Sequence, residues 1–279
     1  MTLATPSQVS QGVFAANRAR GEIALSVRAG DGITRRASVH EAGSWRVRFP
    51  GRPGSELEAV LINTAGGLAG GDRLAVDIRI GDGANLVVTS AAAEKVYRSD
   101  GAETAIAVNL AVGPEAGLAW LPQETILFDR SRLDRRLDIA LAETASLLVA
   151  EVFVFGRAAM GERVREGRLI DRWHVRQNGR LIFAETLRLD GAIADHLDQR
   201  AVTAGNNAVA NVLHVPGSDA SVAAVRALNP RYAGEVGISA WNGLALARLC
   251  AGDSAALRHD LSLVLAALGR PALPRLWLN

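Results

Sequence analysis

Asp72 closes a glycine-rich run, Asn63-Thr-Ala-Gly-Gly-Leu-Ala-Gly-Gly-Asp-Arg-Leu74, at the place where a phosphate-binding loop would carry a lysine. A Walker-type loop ends in Gly-Lys-Ser/Thr, and its Lys reaches the phosphates. Here the run ends in Asp72-Arg73, and the only lysine of the chain, Lys95, stands well downstream. A carboxylate at the mouth of such a loop repels phosphate. The residues that follow alternate like a strand, whereas a dinucleotide fingerprint leads into a helix. The pairs Gly66-Gly67 and Gly70-Gly71 therefore read as backbone that turns sharply or meets another segment closely, with Asp72 part of the same structural motif. One catalytic alternative stays open: a small-molecule enzyme with a cleft beside residues 63–74, using Asp72 or Glu151 as acid or base.

Glu151 is the other residue whose setting implies chemistry. It lies in Leu-Leu-Val-Ala-Glu-Val-Phe-Val-Phe, residues 147–155, where both alternating faces are apolar. Such a strand is covered on both sides. A carboxylate there is desolvated, so it must pair with an arginine such as Arg157, carry a raised pKa or face a wet internal passage. Glu162, after the glycine-bounded stretch from Gly156 to Gly161, reads as structural. No metal centre is expected: His40, His174, His196, His214 and His259 are scattered, and Cys250 is alone. Asp195-His196-Leu-Asp198 comes nearest to a ligand cluster, yet polar helices often show that spacing. No Gly-x-Ser-x-Gly elbow occurs, and the apolar neighbours of Cys250 suit an inert buried thiol rather than a thiolate.

Composition narrows the class further. The chain has 279 residues, 49% hydrophobic and 22% charged, with a formal net charge of +2, as expected of an ordinary globular protein. Only 5% of residues are aromatic and arginines alternate with acids, so a nucleic-acid partner is not expected. A single cysteine permits no intrachain disulfide, which points to the cytoplasm. No basic segment followed by an apolar core suggests a secretory leader, and the nine residues 147–155 are too few for a membrane helix.

The elements that would position these residues are mainly strands. Period-two alternation marks 57–62, 74–80, 106–112, 117–128 and 137–141, with 85–97 extended as well. Gly81-Asp82-Gly83, Asp100-Gly101 and Gly113-Pro114 separate these runs. Asn178-Gly179 predicts a hairpin between 168–177 and 180–189, because both turn residues tolerate positive φ. On its arms Leu169, Trp173 and Val175, and Leu181, Phe183, Leu187 and Leu189, would line the buried face. Helices are expected late: one capped by Ser218 through about Leu228, and one capped by Ser254 and stopped by Gly269 and Pro271. A weaker one is read over 195–200. The apolar stripes of the late helices are candidates for a partner surface, although a stripe at this spacing more often belongs to the core. Strand-turn units recur without a fixed period, so a regular solenoid is not demonstrated.

Taken in order, these motifs resemble the UreD (UreH) family of urease accessory proteins. The resemblance rests on 63–74, Lys95-Val-Tyr-Arg-Ser99, Leu121-Pro-Gln-Glu-Thr-Ile-Leu-Phe128, the 156–162 turn, the 168–191 hairpin and the ending 270–277. Ala65 departs from the family, which more often has Pro there. The resemblance implies one domain over residues 1–279, mainly β, a coiled stack of strands with a few helices in the C-terminal third. It implies a non-catalytic scaffold in the cytoplasm that binds UreF, supports recruitment of the GTPase UreG through UreF, and docks on apo-urease for nickel insertion. No permanent cofactor is implied. Nickel would pass transiently along an internal route, with Glu151 its candidate lining residue.

Overall fold

The computed structural model describes residues 18–51, 54–157, 160–269 and 273–277. Residues 158–159 of the 156–162 turn, and residues 270–272 with the helix stop expected at Pro271, lie outside the described residues.

Two stacked sheets follow from strands that alternate between them. The first sheet has seven strands, in the order β14 (Arg180–Gly191), β13 (Gly167–Gln177), β11 (Arg132–Leu141), β8 (Thr104–Val112), β5 (Arg73–Ile80), β1 (Arg20–Gly30), β2 (Ile33–Gly43). The second runs β16 (Glu235–Trp241), β17 (Leu244–Ala251), β15 (Ala208–Val215), β12 (Ser146–Phe155), β9 (Gly117–Leu121), β6 (Asn85–Ser90), β4 (Leu57–Asn63), β3 (Trp45–Arg48). Short strands β7 (Glu94–Val96) and β10 (Thr125–Leu127) join the second sheet beside β12. From β4 to β13 the chain crosses back and forth, so each coil adds parallel strands to both sheets. The stack is solenoid-like despite unequal coils, because loop lengths vary while strand register does not.

Register places like residues in rows. Ile23, Val76, Val108, Leu137 and Trp173 align across the first sheet, as do Leu25, Ile78, Leu110, Ile139 and Val175. All ten are buried in the core between the sheets. Burying a side chain of this size contributes roughly 1.5–3 kcal/mol over leaving it exposed. A second core lies on the outer side of the second sheet. There Leu148, Ala150 and Val152 of β12 meet Leu257, Leu261, Val264 and Leu265 of helix α3 (Ser254–Ala267). β12 is thus covered on both faces, as its sequence predicts.

Helices α1 (Ile193–Asp198), α2 (Asp219–Arg226) and α3 all follow β14. Ser218 caps α2 through a capping box. α3 is capped by Asp253, whose side chain accepts the Ala256 amide, and not by Ser254, which becomes the first helical residue. The apolar stripes of these helices are largely core, the reading their spacing favoured over a partner surface: Val225, Leu257, Leu261 and Val264 are each no more than 1% exposed, while Val222 and Leu228 are half-buried. Leu181 also departs from expectation. A bulge between Val175 and Arg176 pairs Arg176 with Leu181 and turns Leu181 outward, 48% exposed. The extended segment 85–97 is two strands, β6 and β7, with a break between them.

Asp260 fastens α3 to the sheet edge, accepting the amides of Ala233 and Gly234 at 2.8 Å each while 1% exposed. Asp260→Ala removes the shared acceptor of two part-buried amides and is expected to cost about 1–3 kcal/mol. Urea unfolding of the variant beside the parent measures this; an unchanged midpoint would remove Asp260 from the anchoring of α3.

Candidate functional site

The second sheet is forked. Along one edge of β12, pairing with β9 ends at Val149–Trp120 and pairing with β10 begins at Phe153–Thr125. Glu151 sits between, bonded in the ladder only to the β15 side, opposite Asn211. The same interruption separates β6 from β7, at Ser90 and Glu94. Residues on the inner face beside this fork are polar where the rows elsewhere are aliphatic. Asn63 follows Ala59 and Leu61 in the inward alternation of β4, and Glu94 precedes inward Val96. A polar layer therefore crosses the stack at one end of its aliphatic core.

At the centre of that layer is a buried ion cluster. Glu151 accepts the Trp120 indole at 2.7 Å and also pairs with Arg135. Arg135 forks onto Asp171, donating from Nε at 2.8 Å and from Nη2 at 2.9 Å. Trp173 donates to the same Asp171 at 2.8 Å, and the guanidinium stacks 4.6 Å from the Phe153 ring centre. The three charged residues are each at most 5% exposed. Burial raises the Glu151 pKa; Arg135 opposes that rise and Asp171 adds to it. Burial disfavours the Arg135 charge too, but Asp171 and Glu151 outweigh it and hold the guanidinium firmly protonated. Removing one member of such a cluster costs about 3–5 kcal/mol, since it strands the others.

The partner of Glu151 is Arg135 and not Arg157, correcting the sequence expectation. Arg157 pairs with Glu162 at 2.7 Å and lies over the Phe128 ring at 4.2 Å. Arg135 and Asp171 were missed by sequence reasoning, although the alternation carries them. Arg135 falls between inward Leu133 and Leu137, and Asp171 between inward Leu169 and Trp173. In the register of the first sheet they continue the row begun by Leu74 and Ile106.

The glycine loop closes the same end. Asp72 is buried, its two oxygens accepting the Ala19 amide at 2.8 Å and the Ala69 amide at 2.7 Å. A side chain at Gly70 would strike Ser99 Oγ at 2.0 Å and the Ala102 carbonyl at 2.6 Å. Gly67 has φ +146° and lies under the Tyr97 ring; Gly66 and Gly71 also have positive φ. Tyr97 donates to the Gly66 carbonyl at 2.9 Å and packs edge-on against Phe128. Asn63 ties the loop to β7, its amide reaching both Glu94 oxygens at 3.1 Å. Burial raises Glu94 to about 7, against the Asn63 hydrogen bond, with a small further push from Asp72. Four motif segments, around residues 63–74, 95–99, 121–128 and 156–162, thus meet at one rim, where Met160 is 71% exposed.

The other residues marked in the sequence are not gathered here. Asp195 and His196 are exposed on α1, and Asp198 pairs with Arg163. Cys250 is half-buried, accepts from Asn206, and burial raises its pKa. Among the described residues no three His, Cys, Asp or Glu side chains are grouped to hold a metal ion, and no helix is long and apolar enough to cross a membrane.

A family model described as UreD urease accessory protein matches residues 19–278. The chain is 57% identical over 267 residues, 96% of both chains, to the urease accessory protein UreD of Rhodopseudomonas palustris strain BisB18. It is 52% identical over 276 residues, 99% of both chains, to urease accessory protein UreD 1 of Bradyrhizobium sp. strain ORS 278. The UreD of Bradyrhizobium diazoefficiens strain USDA 110 is 55% identical over 271 residues, 97% of this chain and 98% of that one.

Glu94 gives the site a pH dependence. The folded chain keeps a proton on Glu94 that the unfolded chain has released between about pH 4.5 and 7. Stability from this group is therefore complete below about pH 4.5 and falls as pH rises through 7. Glu94→Gln is expected to stabilise the protein at pH 8 by up to about 3 kcal/mol and to change it little at pH 4.5. Thermal melts of both proteins at the two pH values measure the difference; an equal effect at both would show that Glu94 titrates normally.

Proposed function

Because this chain belongs to the UreD family of urease accessory proteins, we propose that it serves urease maturation as a scaffold and not as a catalyst. In this reading it binds UreF, recruits the GTPase UreG through UreF, and presents the assembly to apo-urease in the cytoplasm. Nickel is its cargo and no cofactor is resident. The match over residues 19–278, which spans the whole stack and its polar layer, carries the reading. Two local features support a role without bond-making chemistry. Asp72 spends both oxygens on backbone amides, and Glu151 spends both on Trp120 and Arg135.

Within this scaffold Glu151 is the residue proposed to meet nickel in transit. Its cluster sets two carboxylates, Glu151 and Asp171, against one guanidinium. A cation passing the fork would meet that excess without finding a closed ligand set. Weak contact suits passage, because a tight site would hold the ion. Hard carboxylate oxygens also bind Ni²⁺ less firmly than imidazole or thiolate would.

Co-expression with UreF, followed by assay of nickel-dependent urease activation, tests the scaffold; a soluble chain that neither binds UreF nor stimulates activation would sink it. Glu151→Gln keeps the side-chain shape and an acceptor for Trp120 while removing one charge. Because Asp171 still pairs with Arg135, the variant is expected to fold with a lowered melting temperature and, compared at equal amounts of folded, UreF-bound protein, to activate urease several-fold more slowly. Full activation by this variant takes Glu151 out of the nickel route.

A further inference from the structure

Among the described residues no element covers the outer face of the first sheet. Parallel sheets ordinarily bury both faces, and five adjoining strands here, β1, β5, β8, β11 and β13, are parallel. Their inner residues form the core between the sheets, whereas α2 and α3 lie on the second sheet. The outward positions of the first sheet that line its hollows are alanines framed by arginines, with Glu22, Asp77, Asn109, Asp134 and Asp138 among them. Two open hollows follow from this pattern, of about 530 Å³ and 360 Å³. Ala75, Ala105 and Ala107 floor the first, and Ala111 and Ala140 floor the second.

Charge on this face is unbalanced toward arginine. Asp77, Asp134 and Asp138 are already paired, with Arg79 at 3.3 Å, Arg172 at 2.6 Å and Arg136 at 2.7 Å. Exposed Arg20, Arg73 and Arg176 have no ion-pair partner among the described residues, against one exposed carboxylate likewise without one, Glu22, which lines the first hollow. Arg20 and Arg73 stand opposite each other on adjacent strands. Like charges so placed disfavour the sheet until an anion lies between them. Small floors with cationic walls are the complement of a protein surface that projects Asp and Glu side chains.

From these observations we propose that the outer face of the first sheet docks an acidic protein surface, supplied by one of the partners in urease maturation. This rests on the scaffold reading above and adds where the partner sits and what chemistry it presents. Nucleic acid fits poorly: the hollows contain no aromatic side chain for stacking, and Asp77, Asp134 and Asp138 interrupt any phosphate track. A second copy laid face to face would oppose arginine with arginine.

The test measures binding of the full chain to purified UreF and to apo-urease, using the parent, an Arg73→Glu/Arg176→Glu double variant, and Ala107→Trp, which fills one hollow without changing charge. The parent is expected to bind at least one of them, more weakly as salt rises from about 50 to 300 mM. The double variant should lose about tenfold or more in affinity and most of its salt dependence. Ala107→Trp should weaken the same partner. Parent-like binding by both variants overturns the proposal while leaving the scaffold reading intact; no binding by the parent to either protein overturns both. Three other results also overturn it: tight binding of duplex DNA through the same arginines, self-association abolished by the double variant, or tighter partner binding once residues 2–17 are removed. Should the double variant melt early, Ala107→Trp decides alone.

Discussion

Parallel register is the constraint on which the rest of this structure depends. Once β1, β5, β8, β11 and β13 pair in step, each inward position is repeated by every coil. A row is then aliphatic throughout or has to be completed as a polar set. The row that starts with Leu74 and Ile106 changes character at Arg135 and Asp171, and the opposite sheet answers with Glu151. Three charges buried among Phe153, Trp120 and Trp173 persist because each carboxylate receives two kinds of donor and the guanidinium is forked. Replacement of the whole set by hydrophobic residues would be tolerable energetically; loss of one member would not.

The fork in the second sheet explains where such a set can exist. A continuous ladder satisfies its own backbone and leaves side chains to pack. Where β9 gives way to β10, and β6 to β7, the strands separate and polar side chains take up the space between them. Glu94 and Glu151 flank the same break, and burial raises the pKa of each. The glycine loop belongs to this end of the molecule because Asp72 and Asn63 hold it there through backbone amides and through Glu94. Its glycines answer to close contacts with Tyr97 and Ser99.

Much of this was legible in the chain itself. Asn178 and Gly179 have φ of 48° and 77°, as their turn type requires, so that hairpin could be read directly. The burial of Glu151 was readable from the two apolar faces of its strand, but not its partner, because Arg135 lies in another sheet. Leu181 was misplaced since a bulge leaves no mark in simple alternation. Strands β1 to β3 were passed over, and so were β15 to β17, where Ala208–Val215 and Leu244–Ala251 are almost continuously small and apolar and show little period. Ser254 and Asp253 can both cap a helix, and only the backbone decides which one does. The stack was expected from the family resemblance and not from periodicity, because coils of unequal length leave no fixed repeat in the sequence.

A column of parallel coils has, in principle, no natural stopping point, and another molecule could add its own strand at either edge to build a fibre. Here the outermost strands, β2 and β14, run against their neighbours, and each sets charge along its free side, Arg35 and Arg36 at one end, Arg180 and Arg188 at the other. Incoming backbone would meet charged side chains at either edge, Arg35 with its partner Asp31 and Arg188 with its partner Asp190 among them. Two hairpins thus end the run of parallel coils, and charge on their outer strands protects a protein rich in strand from adding further strands.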